Sequence, residues 1–313
     1  YLDVDPRLAE VSVETGQTAH QVTAVRCSPG AAGTIVCNLA ALGAGALHAI
    51  GVTGDDGESF DLRRELARLR CDTQHLHRHT GLRTPTYLKP RDVSSDSLGG
   101  EHSRYDTKNR QAIPAELESL LVASLREVVA EVDAVIVLDQ VEEAGCGVST
   151  DMVRRAITSL ASQQGSIPFW ADSRRRIHEF SGVMVKPNQF EAVGRPDPVP
   201  GEEVGREALL EAAGRLRSAN QAPVIVTCGA EGMLVSDPTW TWVPGVPVDG
   251  ELDPTGAGDS ASAGAVLALC AGATLPEAAL VGNLVASITV QQIGTTGVAR
   301  PGQLFSALEK WTC

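Results

Sequence analysis

Asp253-Pro-Thr-Gly-Ala-Gly-Asp259 runs directly into a small-residue stretch, 260–271 (SASAGAVLALCA). Glycines just before a helix let backbone N–H groups converge on one point without side chains in the way. The start of the helix adds partial positive charge, so such a turn suits a phosphoryl group. A carboxylate there is ordinarily a cap or a dipole partner. Beside a bound phosphate it can instead accept the proton of an attacking hydroxyl, in a reaction whose rate comes mostly from alignment and charge stabilisation. Taken as a bare motif, a glycine–acid turn reads more often as a turn with Asp259 capping the helix.

Outward from this turn, apolar runs alternate with helical patterns. Residues 134–138 (AVIVL), 167–171, 183–186 and 224–227 read as buried strands, since continuous apolar runs suit parallel strands covered on both faces. Between them, 114–130 opens with proline in its first turn and repeats leucine and valine at helical spacing. Residues 149–164 open with a Ser/Thr/Asp cap, and 204–217 is a third helix. This order predicts an α/β fold with a mostly parallel sheet and right-handed crossovers. Two stretches break the rhythm: 11–26, rich in β-formers, and 84–106, with short β-like pieces around the polar tip 94–100. Together they predict a small β-sheet at the edge of the core, placed as a lid within a single domain spanning 1–313.

The chain has 313 residues, 43% hydrophobic and 21% charged, which sets aside disordered and fibrous classes. A net charge of −13 argues against a nucleic-acid partner, because a polyanion needs a concentrated basic face. The run Arg174, Arg175 and Arg176 is too short to supply one. Seven scattered cysteines with no CxxC pair fit a reducing cytoplasm better than a disulfide framework. No apolar run approaches a bilayer span, so no membrane partner is expected. His75, His77 and His79 alternate near Cys71, but without a second ligand pair they read as an exposed strand and not a zinc site. Nothing indicates an activated thiolate at Cys228. No GxGxxG follows an early strand, which disfavours an NAD-binding oxidoreductase.

Five segments in order resemble the ribokinase-like, or PfkB-type, carbohydrate kinases. They are 28–44 (SPGAAGTIVCNLAALGA), 51–57 (GVTGDDG), 186–191 (KPNQFE), 226–232 (VTCGAEG) and the 253–259 turn with its helix. The resemblance covers nearly the whole chain. It implies a Rossmann-like sheet flanked by helices with a small β lid, and ATP-dependent phosphorylation of a hydroxyl on a sugar or sugar phosphate. Asp259 would be the general base, and the amides of Gly256, Ala257 and Gly258 the anion hole. Asn188 and Glu191 would help place Mg2+ and the phosphates; Thr227 and Gly229 would border ATP, with Asn283 near the adenine. Gly30 and Thr34 would line the sugar site, with Asp139 beside them. Asp253 and Thr255 lie near a monovalent-cation site in several relatives, which makes K+ a candidate.

Three departures qualify that transfer. Thr34 stands where the family usually has asparagine, and a hydroxyl cannot reproduce an amide's paired donor and acceptor. Ala31 stands where many members have glycine or lysine. The family's first strand carries an aspartate that grips substrate hydroxyls, and no matching strand precedes Tyr1. The alternatives are therefore a catalytically silent sugar- or nucleotide-binding relative, or a kinase for a nucleoside or another small alcohol. Among relatives, the middle of the chain is most similar to bacterial heptose-phosphate kinases, through 84–87 (TPTY), 104–106 (RYD), 139–140 (DQ) and 171–174 (ADSR). Lys89, Arg104 and Arg110 are candidate partners for a substrate phosphate. An exposed β lid also invites edge pairing between two copies, so a homodimer is expected.

Overall fold

The structure, a computed structural model, describes residues 1–95, 97–165 and 167–312. Its α-helices are α1 (Ala32–Leu42), α2 (Gly57–Arg68), α3 (Ala115–Val128), α4 (Asp151–Gln163), α5 (Gln189–Ala192), α6 (Arg206–Asn220), α7 (Ala257–Cys270), α8 (Leu275–Thr289) and α9 (Pro301–Thr312). The predicted strands lie side by side. Val135–Asp139, Phe169–Ser173 and Met184–Val185 form a parallel sheet, with Val135 opposite Phe169 and Trp170 opposite Met184. Parallel bridges from Val185 to Val224 and from Asn188 to Thr227 carry the order on to Ile225–Thr227. From there the chain turns antiparallel through Gly232–Val235 and Thr241–Pro244. Two further parallel pairs, Leu47–His48 with Cys71–Asp72 and Gly51–Thr53 with Leu76–Arg78, complete the α/β layer.

The apolar runs are explained by what covers them. Trp170, Ala171, Val185, Val224 and Val226 are almost wholly buried. They pack between helices on both sides, as strands without polar alternation require. Helices α7 and α8 approach closely because both are built from small residues. A Cβ on Gly282 would come within 2.9 Å of the Ala261 carbonyl oxygen. The helix expected over 260–271 begins three residues earlier, at Ala257. Gly256 takes the left-handed conformation at φ +76°, which lets the chain enter the helix at once and puts Asp259 inside the first turn.

The rhythm-breaking stretches do form short β pieces. Leu2–Val4 lies between Val22–Val25, antiparallel, and Pro90–Asp92, parallel. Thr86–Leu88 pairs with Tyr105–Thr107, and Glu10–Val11 with Thr18–Ala19. A strand does therefore open the chain. Its Asp3 is tied to Arg26 by two bonds of 2.8 Å. This layer is open to solvent, with Val13 96% and Val25 64% exposed. The expected exposed histidine strand is Leu76–Arg78. His75 is nevertheless buried, and His77 Nε2 lies 2.9 Å from Ser124 Oγ on α3.

Candidate active site

The turn before α7 holds the centre of the site. The Ala257 amide closes onto the Pro254 carbonyl at 3.1 Å, so it serves the turn itself. The amides of Gly256 and Gly258 form no backbone hydrogen bond with the described residues. Thr34 on α1 lies directly against this turn, its Cγ2 3.2 Å from where a Cβ on Gly256 would sit. The segment assigned to sugar and the segment assigned to phosphate are thus in contact. Gly30 is exposed just ahead of α1, and Ala31, its N-cap, is held at φ 48° and ψ −114°. That backbone region is one glycine favours, so the alanine here is strained.

Asp259 is half-buried in the first turn of α7. Its carboxyl is pushed up to about 7, chiefly by burial and then by the neighbouring Asp172 charge, against the pull of Lys186 and Arg174. A carboxyl held near neutrality is matched to proton transfer at ordinary pH. Sequence reasoning gave no role to its closest charged neighbours. Lys186 follows the strand Met184–Val185 and is buried, as is Asp172 on the adjacent strand; their side chains pair at 2.8 Å. Lys186 Nζ lies 3.4 Å from the position a Cβ on Gly258 would take, so its charge sits beneath the phosphate turn. Its pKa is raised: burial lowers it, and the charges of Asp172, Glu191 and Asp259 more than compensate. The signal for Lys186 stood in the quoted KPNQFE, but nothing in the sequence said that Asp172 would face it.

Asn188 and Glu191 form a reciprocal cap on the short helix α5. Asn188 Oδ1 accepts from the amides of Phe190 and Glu191 at 2.9 Å, and Glu191 Oε2 accepts from the Asn188 amide at 2.8 Å. Burial pushes the Glu191 carboxyl up to about 7, with Asp172 adding to the rise. Asp172, Lys186 and Arg174 act on Glu191 as they do on Asp259. Thr227 is brought beside this cap, its amide bonded to the Pro187 carbonyl at 3.0 Å, and Gly229 follows it at φ 56°. The two segments assigned to nucleotide and metal therefore meet.

Other candidates sit in different surroundings. Asp139 is buried with both carboxylate oxygens engaged, by Arg176 at 2.7 and 3.0 Å and by the Ser173 hydroxyl at 2.7 Å. Asn283, on α8, gives its amide donors to the carbonyls of Val243 and Pro244. Asp253 is buried, with Oδ1 accepting from the Thr255 amide at 3.0 Å and Oδ2 from the Gly294 amide at 3.4 Å. The three cations considered for a substrate phosphate each already face a carboxylate: Lys89 with Glu101, Arg104 with Asp106, and Arg110 with Glu143. Burial pushes the Cys228 thiol beside Thr227 up to about 12, which keeps it protonated and inert. Asn38 is a residue that sequence reasoning passed over. Fully buried, it donates to Thr34 O, Ser260 Oγ and Gly297 O and accepts from the Ala299 amide, clamping α1, α7 and the segment after α8 together.

Comparison with known proteins bears on the family and the fold. Bifunctional protein HldE of Azorhizobium caulinodans is 30% identical over 297 residues, taking in 92% of this chain and 58% of that protein. Bifunctional protein HldE of Sulfurimonas denitrificans is 26% identical over 272 residues, taking in 86% of this chain and 54% of its own length. The chain thus spans little more than half the length of these relatives. Among solved structures, phosphofructokinase-2 from Escherichia coli in complex with potassium matches with a TM-score of 0.73 at 19% identity, covering 100% of this chain and 96% of that one. Ribokinase from Thermotoga maritima matches with a TM-score of 0.67 at 19% identity, covering 98% and 95%. These likenesses show the ribokinase-like α/β fold. The model of the pfkB family carbohydrate kinases matches residues 3–301, nearly the whole chain, and the chain belongs to that family.

Proposed function

We propose that this chain transfers the γ-phosphoryl group of ATP to a hydroxyl of a sugar or sugar phosphate. The observation that carries the reading is the placement of Asp259, a carboxyl held near neutral pH inside the first turn of α7, next to the buried Lys186. In this mechanism the acceptor hydroxyl lies between Thr34 and Asp259, and Asp259 takes its proton as the oxygen attacks phosphorus. The Gly256 and Gly258 amides donate to the phosphoryl oxygens, and Lys186 adds a fixed positive charge beneath them. The Ala257 amide, occupied by Pro254, supports the turn and not the phosphate.

Thr227 and Gly229 border the nucleotide, and Glu191 with Asn188 faces the polyphosphate. The donor set fits Mg2+. Glu191 and the nearby Asp172 carboxylate offer hard oxygens. Mg2+ suits such a place because it keeps water and phosphate ligands beside one or two carboxylates. When bound it would neutralise charge on the phosphate oxygens. The single domain spanning 1–313 works with the β pieces of 11–26 and 84–106 as its lid, joined by Leu2–Val4 between them, which would shield the transfer from water. The middle of the chain resembles bacterial heptose-phosphate kinases, which makes a heptose phosphate the first acceptor to try.

The test is ADP release over a panel of acceptors: heptose 7-phosphate, fructose 6-phosphate, ribose, fructose and a nucleoside. One sugar or sugar phosphate giving ADP and phosphorylated product in equal amounts supports the reading. ATP binding without transfer to any of them would favour the silent relative.

A further inference from the structure

The family resemblance places a monovalent cation beside Asp253 and Thr255, and the residues on the page do not fit a bare ion there. Both Asp253 oxygens already accept backbone N–H groups, from Thr255 and Gly294. The facing turn at Gly294 is occupied from the lid side by two arginines. Arg26 Nη1 donates to the Gly294 carbonyl oxygen at 3.3 Å. The Arg91 guanidinium lies against the Gly294 Cα, so closely that a Cβ at this buried position would collide with it. Both groups are held in place from behind. Arg26 makes two 2.8 Å bonds to Asp3 and stacks 4.9 Å from the Tyr1 ring centre, and Arg91 Nη2 donates to Ser95 O at 2.7 Å.

We infer that Arg26 and Arg91 take the place of the monovalent cation, so that neither folding nor turnover of this chain responds to K+. A guanidinium carries its charge at all working pH and brings several fixed donors. It needs no ion from solution, and it repels one that approaches the same carbonyl. The contact also joins the lid strands to the phosphate turn: Arg26 follows Val22–Val25, Arg91 is in Pro90–Asp92, Gly294 bonds to Asp253, and Asp253 opens the turn. The sense of the replacement rests on the kinase reading, but the packing at Gly294 does not.

Melting of the protein without substrates separates the two. At constant ionic strength, midpoints in choline chloride, NaCl and KCl are expected to coincide, because an ion that binds only the folded state would raise the midpoint in a saturable way. A saturable rise specific to K+ would overturn the inference, whether or not the chain phosphorylates anything. Turnover of the wild type is expected to be the same in choline and K+, and a saturable activation by K+ would overturn the inference. Arg91→Met keeps length and removes charge. It is expected to acquire a K+-dependent midpoint and lose turnover that K+ or guanidinium ion restores. A folded Arg91→Met protein with normal turnover and no response to K+ refutes the role of that side chain. Arg26→Met, on the more exposed partner, gives the same readout should Arg91→Met not fold.

Discussion

Replacing Lys186 with methionine separates support of the fold from support of the chemistry. The change removes a buried charge and takes from the buried Asp172 the partner it holds at 2.8 Å. Breaking one partner of a buried pair costs roughly 3–5 kcal/mol. At about 2 °C per kcal/mol for a chain of this size, the melting midpoint should fall by roughly 6–10 °C. The catalytic loss has a separate origin. A unit charge about 5 Å from the transferring phosphoryl, at an effective dielectric constant near 20, contributes about 3 kcal/mol, or roughly a hundredfold in kcat. The second variant, Asp172→Leu with Lys186→Met, removes both charges. Apolar replacement of a whole buried pair is close to neutral, so stability should return. Turnover should not. Calorimetry and the coupled ADP assay on the three proteins read the two effects independently. If the double variant regains wild-type kcat, Lys186 serves packing alone and its place in the mechanism is wrong.

Asp259→Asn keeps size and removes the base; kcat should fall by about 10²–10⁴ while ATP affinity by calorimetry stays within about threefold. The raised Asp259 carboxyl predicts that kcat/KM climbs with pH through about 7 and levels off above it, since the proton stays on the folded protein's carboxylate below that pH. Burial also pushes Glu191 up to about 7, so its ionisation falls on the same limb. Lys186→Met removes a charge that lowers the Asp259 value, and the limb should move to higher pH; a limb that moves down would contradict the geometry. Ala31→Gly relieves a backbone at φ 48° and should stabilise by about 1 kcal/mol, a rise of roughly 2 °C in Tm. Val22→Lys on the open β layer should turn a dimer into a monomer in light scattering, and a wild type that is already monomeric removes the lid-pairing proposal.

The parts of the site written in backbone chemistry were legible from residue types. The glycine turn before α7, the Asn188–Glu191 cap and the buried parallel strands each follow from local rules that leave a mark on the sequence. Side-chain pairings fixed by strand register left none. Asp172 and Lys186 meet because Phe169–Ser173 lies beside Met184–Val185, and no spacing rule names them as partners. Asp139 is held by Arg176 and Ser173 through both its oxygens, and the short loop that returns Arg176 to the strand end carries no periodic signal. Leu2–Val4 was too short for alternation to mark it as a strand. Gly256 shows the limit from the other side. Its residue type announced a turn, but only its left-handed φ placed Asp259 within the helix and not ahead of it.

Asn38 acts as a rivet. One amide with four backbone and hydroxyl partners fixes the N-terminal turn of α1 to α7 and to the stretch around residues 297–299. The spacing between Thr34 and Gly256 is thereby set before any ligand arrives. Opening for small molecules then falls to the exposed β pieces around 10–25 and 86–107, whose amides should exchange with deuterium well before those of α1 and α7, which stay protected together.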